Sequence, residues 1–361
     1  MRAALRWARK GLGRTSPNPP VGAVVVQGGR IVGEGFHPKA GEPHAEVFAL
    51  DQAGDAARGA TLYVTLEPCC HTGKRTPPCV GRVLASGVAR VVIGAVDPNP
   101  RVGGAGIAQL EGGGVAVTIG VLAEEAGRLI EGFTRHVTTG RPLVTLKLAA
   151  SLDGRICALD RSSRWITGPA ARLEVHRLRD GADAVLVGIG TALADDPALT
   201  TRLTKGGRDA VRVVVDARAR LPPTARMLVQ GSPAPTLVFV GPDAPAERRA
   251  ALVQAGAQVV EAPVAGDHLD LDHVIASLGR RGMCSVLAET GPRLSTALLA
   301  GGFVDKVVAF VAPKFIGGDG SNVVVNDLAR PNIGQALALA RVRWRAVGDD
   351  AMLEAYLERH V

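Results

Sequence analysis

Short apolar runs separated by amphipathic stretches recur along the whole chain, and the alternation predicts strands and helices in turn. Residues 1–13 read as a first helix that runs into Pro17-Asn18-Pro19-Pro20. Val21–Val26 and Arg30–Gly35 flank Gly28-Gly29, the pattern of a hairpin. A helix is expected to begin near His44, carry Val47, Phe48 and Leu50, and end at Gly59. Strand Thr61–Thr65 follows, then a Cys-rich segment, a helix around Val80–Ala85 and strand Val91–Val96. Gly112-Gly113-Gly114 and strand Val115–Ile119 lead into a helix from Leu122 to Phe133. This β-α-β-α-β order with short apolar strands implies an α/β/α layered fold.

Thr138-Thr139-Gly140-Arg141-Pro142 reads as a linker, because the alternation restarts after it. Apolar runs recur at Val144–Ala149, Ala184–Val187, Val211–Val215, Thr236–Val240, Gln258–Val260, Val286–Ala288 and Val307–Val311, with helical patterns between them. A length of 361 residues suits two domains, and the expected units are 1–142 and 143–361, both α/β.

Composition narrows the partners. The net charge is +8 with a pI near 9.6, yet the arginines are scattered as singles and pairs. Aromatics for stacking bases are scarce, so phosphorylated small molecules are expected and nucleic acid is not. No apolar stretch is long enough to span a bilayer, and the cytoplasm is the expected location, with no membrane partner. Five cysteines, three of them clustered, point to metal or thiol chemistry in a reducing compartment.

The cluster has a specific form. His44-Ala45-Glu46 precedes Glu67-Pro68-Cys69-Cys70 and Pro77-Pro78-Cys79. One imidazole and two thiolates, from His44, Cys69 and Cys79, would hold Zn2+ and leave a fourth position for water, whose pKa falls from about 15.7 to about 7. Glu46 lies outside that ligand set but within reach of the water, as general base and then general acid. This is the logic of zinc deaminases. The alternative is a closed structural site with Cys70 or His71 as fourth ligand, in which a carboxylate two residues from a histidine ligand has no purpose. Nine residues separate Cys69 from Cys79, where the commonest deaminase pattern has two.

The second half carries weaker signals. Gly188-Ile189-Gly190-Thr191 follows an apolar run, and Glu289-Thr290-Gly291-Pro292-Arg293-Leu294-Ser295 repeats the pattern of strand, glycine and helix start. Such turns bring backbone N–H groups close to phosphate, and two of them suggest a dinucleotide.

Several segments resemble one family. They are Thr15-Ser16-Pro17-Asn18-Pro19-Pro20-Val21-Gly22, Gly41-Glu42-Pro43-His44-Ala45-Glu46-Val47, Pro68-Cys69 through Thr76-Pro77-Pro78-Cys79, and Asp97-Pro98-Asn99-Pro100. Together they resemble the deaminase half of the bifunctional riboflavin-biosynthesis deaminase/reductase family. Lys147-Leu148-Ala149-Ala150-Ser151-Leu152-Asp153-Gly154-Arg155, Ser163-Arg164-Trp165-Ile166-Thr167-Gly168, Val175-His176-Arg177-Leu178-Arg179 and Asp195-Asp196-Pro197-Ala198-Leu199-Thr200 resemble its reductase half. The family usually places eight residues between its cysteine ligands; the surplus here falls at Lys74-Arg75. Cys70 would restore that number, but Cys69 follows Pro68, where the family positions its ligand.

The resemblance implies a cytidine-deaminase-like α/β/α domain followed by a dihydrofolate-reductase-like α/β domain that uses NADPH. The first would remove the 2-amino group of 2,5-diamino-6-ribosylamino-4(3H)-pyrimidinone 5′-phosphate, and the second would reduce the ribosyl group to ribityl. By position, Ala149, Trp165, Thr191, Asp195 and the turn of Gly291, Pro292, Arg293, Leu294, Ser295, Thr296 and Ala297 would contact cofactor. Ser163, Arg179, Leu199, Arg202 and Glu289 would contact substrate, with Arg179 and Arg202 suited to clamp phosphate. Without the resemblance, Trp165 reads as a core aromatic and Arg179 as part of a solvated helix face. Arg218 and Arg220 are candidates for reading the NADPH 2′-phosphate. Where family sequences often have Glu-Gly-Gly, this chain has Glu289-Thr290-Gly291, unfavourable only if Thr290 needed positive φ. A homo-oligomer is expected. The rival expectations are a free-base or tRNA deaminase with a degenerate second domain, and a zinc-stabilised binding module without catalysis.

Overall fold

Gly28 and Gly29 both have positive φ (55° and 78°), the backbone of a two-residue turn that suits the twist of a hairpin. The turn joins β1 (Gly22–Gln27) to β2 (Arg30–Phe36). The structure, a computed structural model, describes residues 1–71, 77–100, 102–204, 206–318, 320 and 322–358. The Lys74-Arg75 surplus of the Cys-rich loop lies outside the described residues. The chain divides into two compact units, Met1–Arg141 with Gly282–Cys284, and Pro142–Arg281 with Ser285–Val361.

In the first unit β3 (Thr61–Leu66), β4 (Arg90–Ala95) and β5 (Ala116–Ile119) complete a sheet of order β2-β1-β3-β4-β5. β1 is antiparallel to β2 and β3, whereas β3, β4 and β5 run parallel. The period of two in a strand sorts the helices onto the two faces. A Cβ on Gly22 would lie 2.1 Å from the Ala4 carbonyl, so helix Arg2–Ala8 packs on that face. Gly33 pairs with Val25, one step out of phase, and a Cβ there would lie 2.0 Å from the Ala49 carbonyl. Helix Ala45–Ala53 therefore presses on the opposite face, which makes the expected three layers. Leu50 of that helix is 2% exposed in the core with Leu62, Ile93 and Leu110. Truncating it to Ala would cost about 2–5 kcal/mol and loosen the element that begins at His44.

The strands expected in this unit are present, with ends shifted by a residue or two. Three expectations need correction. A helix at Ala105–Gly112, not anticipated, joins β4 to β5. The single helix expected from Leu122 to Phe133 is two, Ala123–Leu129 and Glu131–Thr139, broken at Ile130 (φ −106°, ψ 10°). Thr138 and Thr139 are not linker but the end of the second, where their hydroxyls donate to the carbonyls of Thr134 and Arg135. Gly140 closes that helix at φ 72°, a left-handed cap that costs glycine little.

The second unit holds β6 (Leu143–Ser151), β7 (Ala184–Gly188), β8 (Val211–Val215), β9 (Thr236–Val240), β10 (Gln258–Glu261), β11 (Val264–Ala265), β12 (His268–Leu269), β13 (Ser285–Ala288), β14 (Lys306–Ala312), β15 (Leu339–Val347) and β16 (Asp350–Leu357). Among the described residues its main sheet has the order β10-β9-β8-β7-β13-β6-β14-β16-β15. It is parallel from β10 to β14 and antiparallel beyond, and β11 pairs with β12 alone. Parallel strands align their carboxyl ends, so the loops after β7 and β13 emerge side by side, the usual ligand edge of an open α/β sheet. β15 and β16 were not anticipated.

Candidate active sites

The first site is assembled at helix starts and a strand end. His44 is the N-cap of helix Ala45–Ala53, held extended at φ −78° and ψ 165°. Cys69 lies in the loop after β3, and Cys79 is the first residue of helix Cys79–Ala85. The positive end of a helix dipole favours thiolate at Cys79. One ligand atom from each of His44, Cys69 and Cys79 lies within 4.8 Å of the others. His44 Nδ1 is 3.1 Å from Cys79 Sγ and 3.5 Å from Cys69 Sγ. Tetrahedral zinc, with bonds of about 2.0–2.3 Å, spaces its ligand atoms roughly 3.3–3.8 Å apart, so the donor set fits the metal. Hydrogen bonding to Cys69 and then burial push the Cys79 thiol up, a cost that a dication removes by holding both sulfurs as thiolates. Cys70, the alternative ligand, is not in the cluster and packs against the hydrophobic core.

Glu46 follows in the first turn of the same helix and is 3% exposed. Its Oε2 has no hydrogen-bond partner among the described residues. Burial pushes the carboxyl up, the His44 ring pulls it down, and Cys69 pushes it up again. The Cys79 amide N–H points at Cys69 Sγ at 3.5 Å, a support for negative sulfur. His37, which no motif in the sequence marks, is 2% exposed and stands edge-on to His44 with ring centroids 5.1 Å apart. Its Nδ1–H donates to the Pro43 carbonyl at 3.0 Å, which leaves Nε2 to accept from Asn18 Nδ2 at 3.0 Å.

The second site centres on a buried ion pair. Arg179, in helix Pro169–Gly181, meets Glu289, just past β13, in a two-point contact: Nε to Oε1 at 2.6 Å and Nη2 to Oε2 at 2.9 Å. The side chains are only 11% and 10% exposed, so Arg179 is not part of a solvated helix face. Its Nη1 donates to the Thr200 carbonyl at 3.0 Å, and Arg202 Nη1 donates to Thr200 Oγ1 at 3.0 Å. Burial pushes the Glu289 carboxyl up, but the Arg179 charge and hydrogen bonds and the Lys147 charge outweigh it, leaving Glu289 below the usual glutamate range. Lys147 on β6 is lowered, mainly by burial. Its signal in the sequence is a lone charged residue in a mostly apolar strand.

The remaining expected residues fall around this pair. Leu199 is buried at φ 54°, so at most its backbone is offered to a ligand. Ser163 lies partly exposed in the loop before helix Pro169–Gly181. Trp165 is 63% exposed and is not a core aromatic; the Arg172 guanidinium lies 4.5 Å from its ring centroid. Arg164 Nη2 donates to the Asp195 carbonyl at 2.8 Å. Thr191, in helix Ile189–Asp195, accepts from the Gly291 N–H at 3.1 Å, tying the turns after β7 and β13 together. Gly291 is the N-cap of helix Pro292–Ala300, which carries Pro292, Arg293, Leu294, Ser295, Thr296 and Ala297. Ser295 is wholly buried and bonded to Thr290, so its side chain does not face a ligand, and Thr290 is not at positive φ. Ala149 lies on β6. Arg218 is exposed, and Arg220 lines a cavity of about 390 Å³ with Pro222 and Arg248. Two glycine-bearing turns at adjacent strand ends fit a dinucleotide.

Layered α/β folding around a His/Cys/Cys cluster with a buried carboxylate defines a zinc-dependent deaminase domain, here joined to a second α/β domain. Residues 1–95 match the cytidine and deoxycytidylate deaminase zinc-binding region, and residues 142–353 match the RibD C-terminal domain. The riboflavin biosynthesis protein RibD of Aquifex aeolicus is 42% identical over 353 residues, covering 98% of this chain and 96% of that protein. The one from Escherichia coli is 43% identical over 338 residues, 88% of each. Acinetobacter baumannii RibD superposes with a TM-score of 0.86 at 38% identity, over 99% of this chain and 98% of that one. The diaminohydroxyphosphoribosylaminopyrimidine deaminase/5-amino-6-(5-phosphoribosylamino)uracil reductase of Thermotoga maritima gives 0.83 at 38% identity, over 99% and 97%. The chain belongs to the RibD family of bifunctional riboflavin-biosynthesis enzymes, with a zinc-binding, cytidine-deaminase-like domain followed by the RibD reductase domain.

Proposed function

We propose that the chain performs two successive steps on one phosphorylated pyrimidine, deamination in residues 1–142 and reduction in residues 143–361. The substrate of the first is 2,5-diamino-6-ribosylamino-4(3H)-pyrimidinone 5′-phosphate. The observation that carries this reading is the His44, Cys69 and Cys79 cluster with the unpartnered Glu46 oxygen beside it. Zinc, when bound, acidifies a water at its open position. Glu46 takes a proton from the water that attacks C2 and returns it to the departing ammonia. His44, Cys69 and Cys79 hold the metal, and His37 packs edge-on against the His44 ring.

NADPH, when bound, supplies hydride to C1′ of the opened ribosyl imine. Ala149, Trp165, Thr191, Asp195 and the turn beginning at Gly291 orient it. Ser163, Leu199, Arg202, Arg179 and Glu289 take the substrate; Arg202 and the guanidinium N–H groups of Arg179 not bonded to Glu289 or Thr200 meet its phosphate. A phosphate common to both substrates accounts for the basic charge. No described helix is long and apolar enough to cross a membrane. A homo-oligomer in the cytoplasm, acting on small molecules and not on nucleic acid, is the corresponding reading.

A coupled assay on the phosphorylated diaminopyrimidinone should release ammonia and then oxidise NADPH in equal amounts. Release from cytosine, guanine or a tRNA loop with none from this substrate would replace the reading with that of a free-base or tRNA deaminase. Metal analysis should find one zinc per chain, lost in Cys69→Ala and kept in Cys70→Ala. The reverse result would transfer the ligand role to Cys70.

A further inference from the structure

Glu67, just past β3 and two residues before Cys69, is 3% exposed. Its carboxylate accepts four backbone N–H groups: Oε2 from Asp97 at 3.1 Å and Gly104 at 3.0 Å, Oε1 from Gly106 at 2.9 Å and Ile107 at 3.2 Å. Gly106 and Ile107 supply two first-turn donors of helix Ala105–Gly112, which have no partner within the helix. Asp97 and Gly104 stand at the two ends of the loop before it. A Cβ on Gly106 would lie 2.3 Å from the Pro68 carbonyl, so the helix start touches the backbone next to Cys69. Glu67 thus ties Asp97 and the start of helix Ala105–Gly112 to the strand end that carries Cys69.

Cys69 has other supports, since the Cys79 N–H points at its sulfur and the Val80 N–H donates to its carbonyl at 3.2 Å. Asp97 lies just past β4, the parallel neighbour of β3, and carboxyl ends of adjacent parallel strands are where an α/β sheet forms its ligand cleft. We propose that Glu67 is a positioning residue for deamination: it touches neither metal nor substrate, but fixes Asp97 and the helix start at residues 104–107 as one wall of the pyrimidine cleft. This rests on the deaminase reading above.

A carboxylate suits the task because both of its oxygens only accept. Glutamine has one accepting oxygen, and its NH2 would face two N–H groups. Glu67→Gln should therefore raise the KM for ammonia release by about tenfold or more, the scale of losing charge-assisted hydrogen bonds. Zinc per chain and the absorption spectrum of the cobalt-substituted enzyme should stay as in the wild type. Reduction of separately supplied deaminated product, in the same full-length chain, should also be unchanged. Glu67→Asp keeps the charge on a shorter arm and should fall between. A role confined to stability would lower the folded fraction and hence kcat, with KM unmoved. An unchanged KM in soluble Glu67→Gln, or loss of its zinc, would overturn the proposal; if that protein is insoluble, an unchanged KM in Glu67→Asp does so. A wild-type enzyme that releases no ammonia would instead sink the deaminase reading itself.

Discussion

Glu46→Gln should bind zinc as the wild type does and release ammonia about 10²–10⁴-fold more slowly. The amide has the shape of the carboxylate but cannot carry a proton from water to a leaving amine. Glu46 is not needed as a ligand, because His44, Cys69 and Cys79 already form the donor cluster. Its free Oε2 and 3% exposure place it where a proton carrier is shielded from bulk water. Metal analysis and ammonia release on the same preparation separate binding from catalysis, and NADPH oxidation with supplied deaminated product checks the other half. A loss below about tenfold with zinc intact would remove Glu46 from proton transfer. Loss of zinc would make it a ligand.

The His44, Cys69 and Cys79 cluster is legible because its members occupy short motifs: His44-Ala45-Glu46 starts a helix and Pro68-Cys69 ends a strand excursion. Apolar runs likewise marked the buried strands β1, β3, β4 and β6 to β9. What escaped had different physics. β15 and β16 lie at the sheet margin, and Arg341-Val342-Arg343-Trp344-Arg345 alternates without an apolar run, so an eye for buried strands passes over it. Helix Ala105–Gly112 starts at a left-handed Gly104 and relies on a carboxylate 39 and 40 residues before its first-turn donors Gly106 and Ile107, which no local pattern announces. The single helix expected over Leu122 to Phe133 fails because hydrophobic periodicity does not register a bend at Ile130. Residues 291–297 are expected as one cofactor turn, yet a helix presents only part of its circumference, and Ser295 points inward. The partnership of Arg179 with Glu289, 110 residues apart, exists only once β13 lies beside β7.

That partnership makes Arg179→Ala the most damaging substitution expected in the second domain. Removing one member of a buried ion pair leaves a carboxylate without its counter-charge, a loss of about 3–5 kcal/mol in comparable cases. The deaminated product should bind more weakly and its reduction should fall, while NADPH binding, read by quenching of protein fluorescence, should hold. The pH dependence gives a second signature. In the wild type Glu289 sits below the usual glutamate range, so its contribution to stability is complete above that range and is lost as pH falls through the depressed value. In Arg179→Ala the largest remaining influence is burial, which acts upward. Falling pH then protonates the buried carboxylate before that of the unfolded chain and relieves it, so the stability gap between Arg179→Ala and the wild type, read from thermal unfolding, should narrow towards acid pH. Ammonia release should be unaffected. An Arg179→Ala enzyme that loses deamination but keeps reduction would mean that the two activities belong to the opposite domains, and a stability gap that does not change with pH would show that Glu289 finds its counter-charge elsewhere, with the Lys147 charge the next contributor.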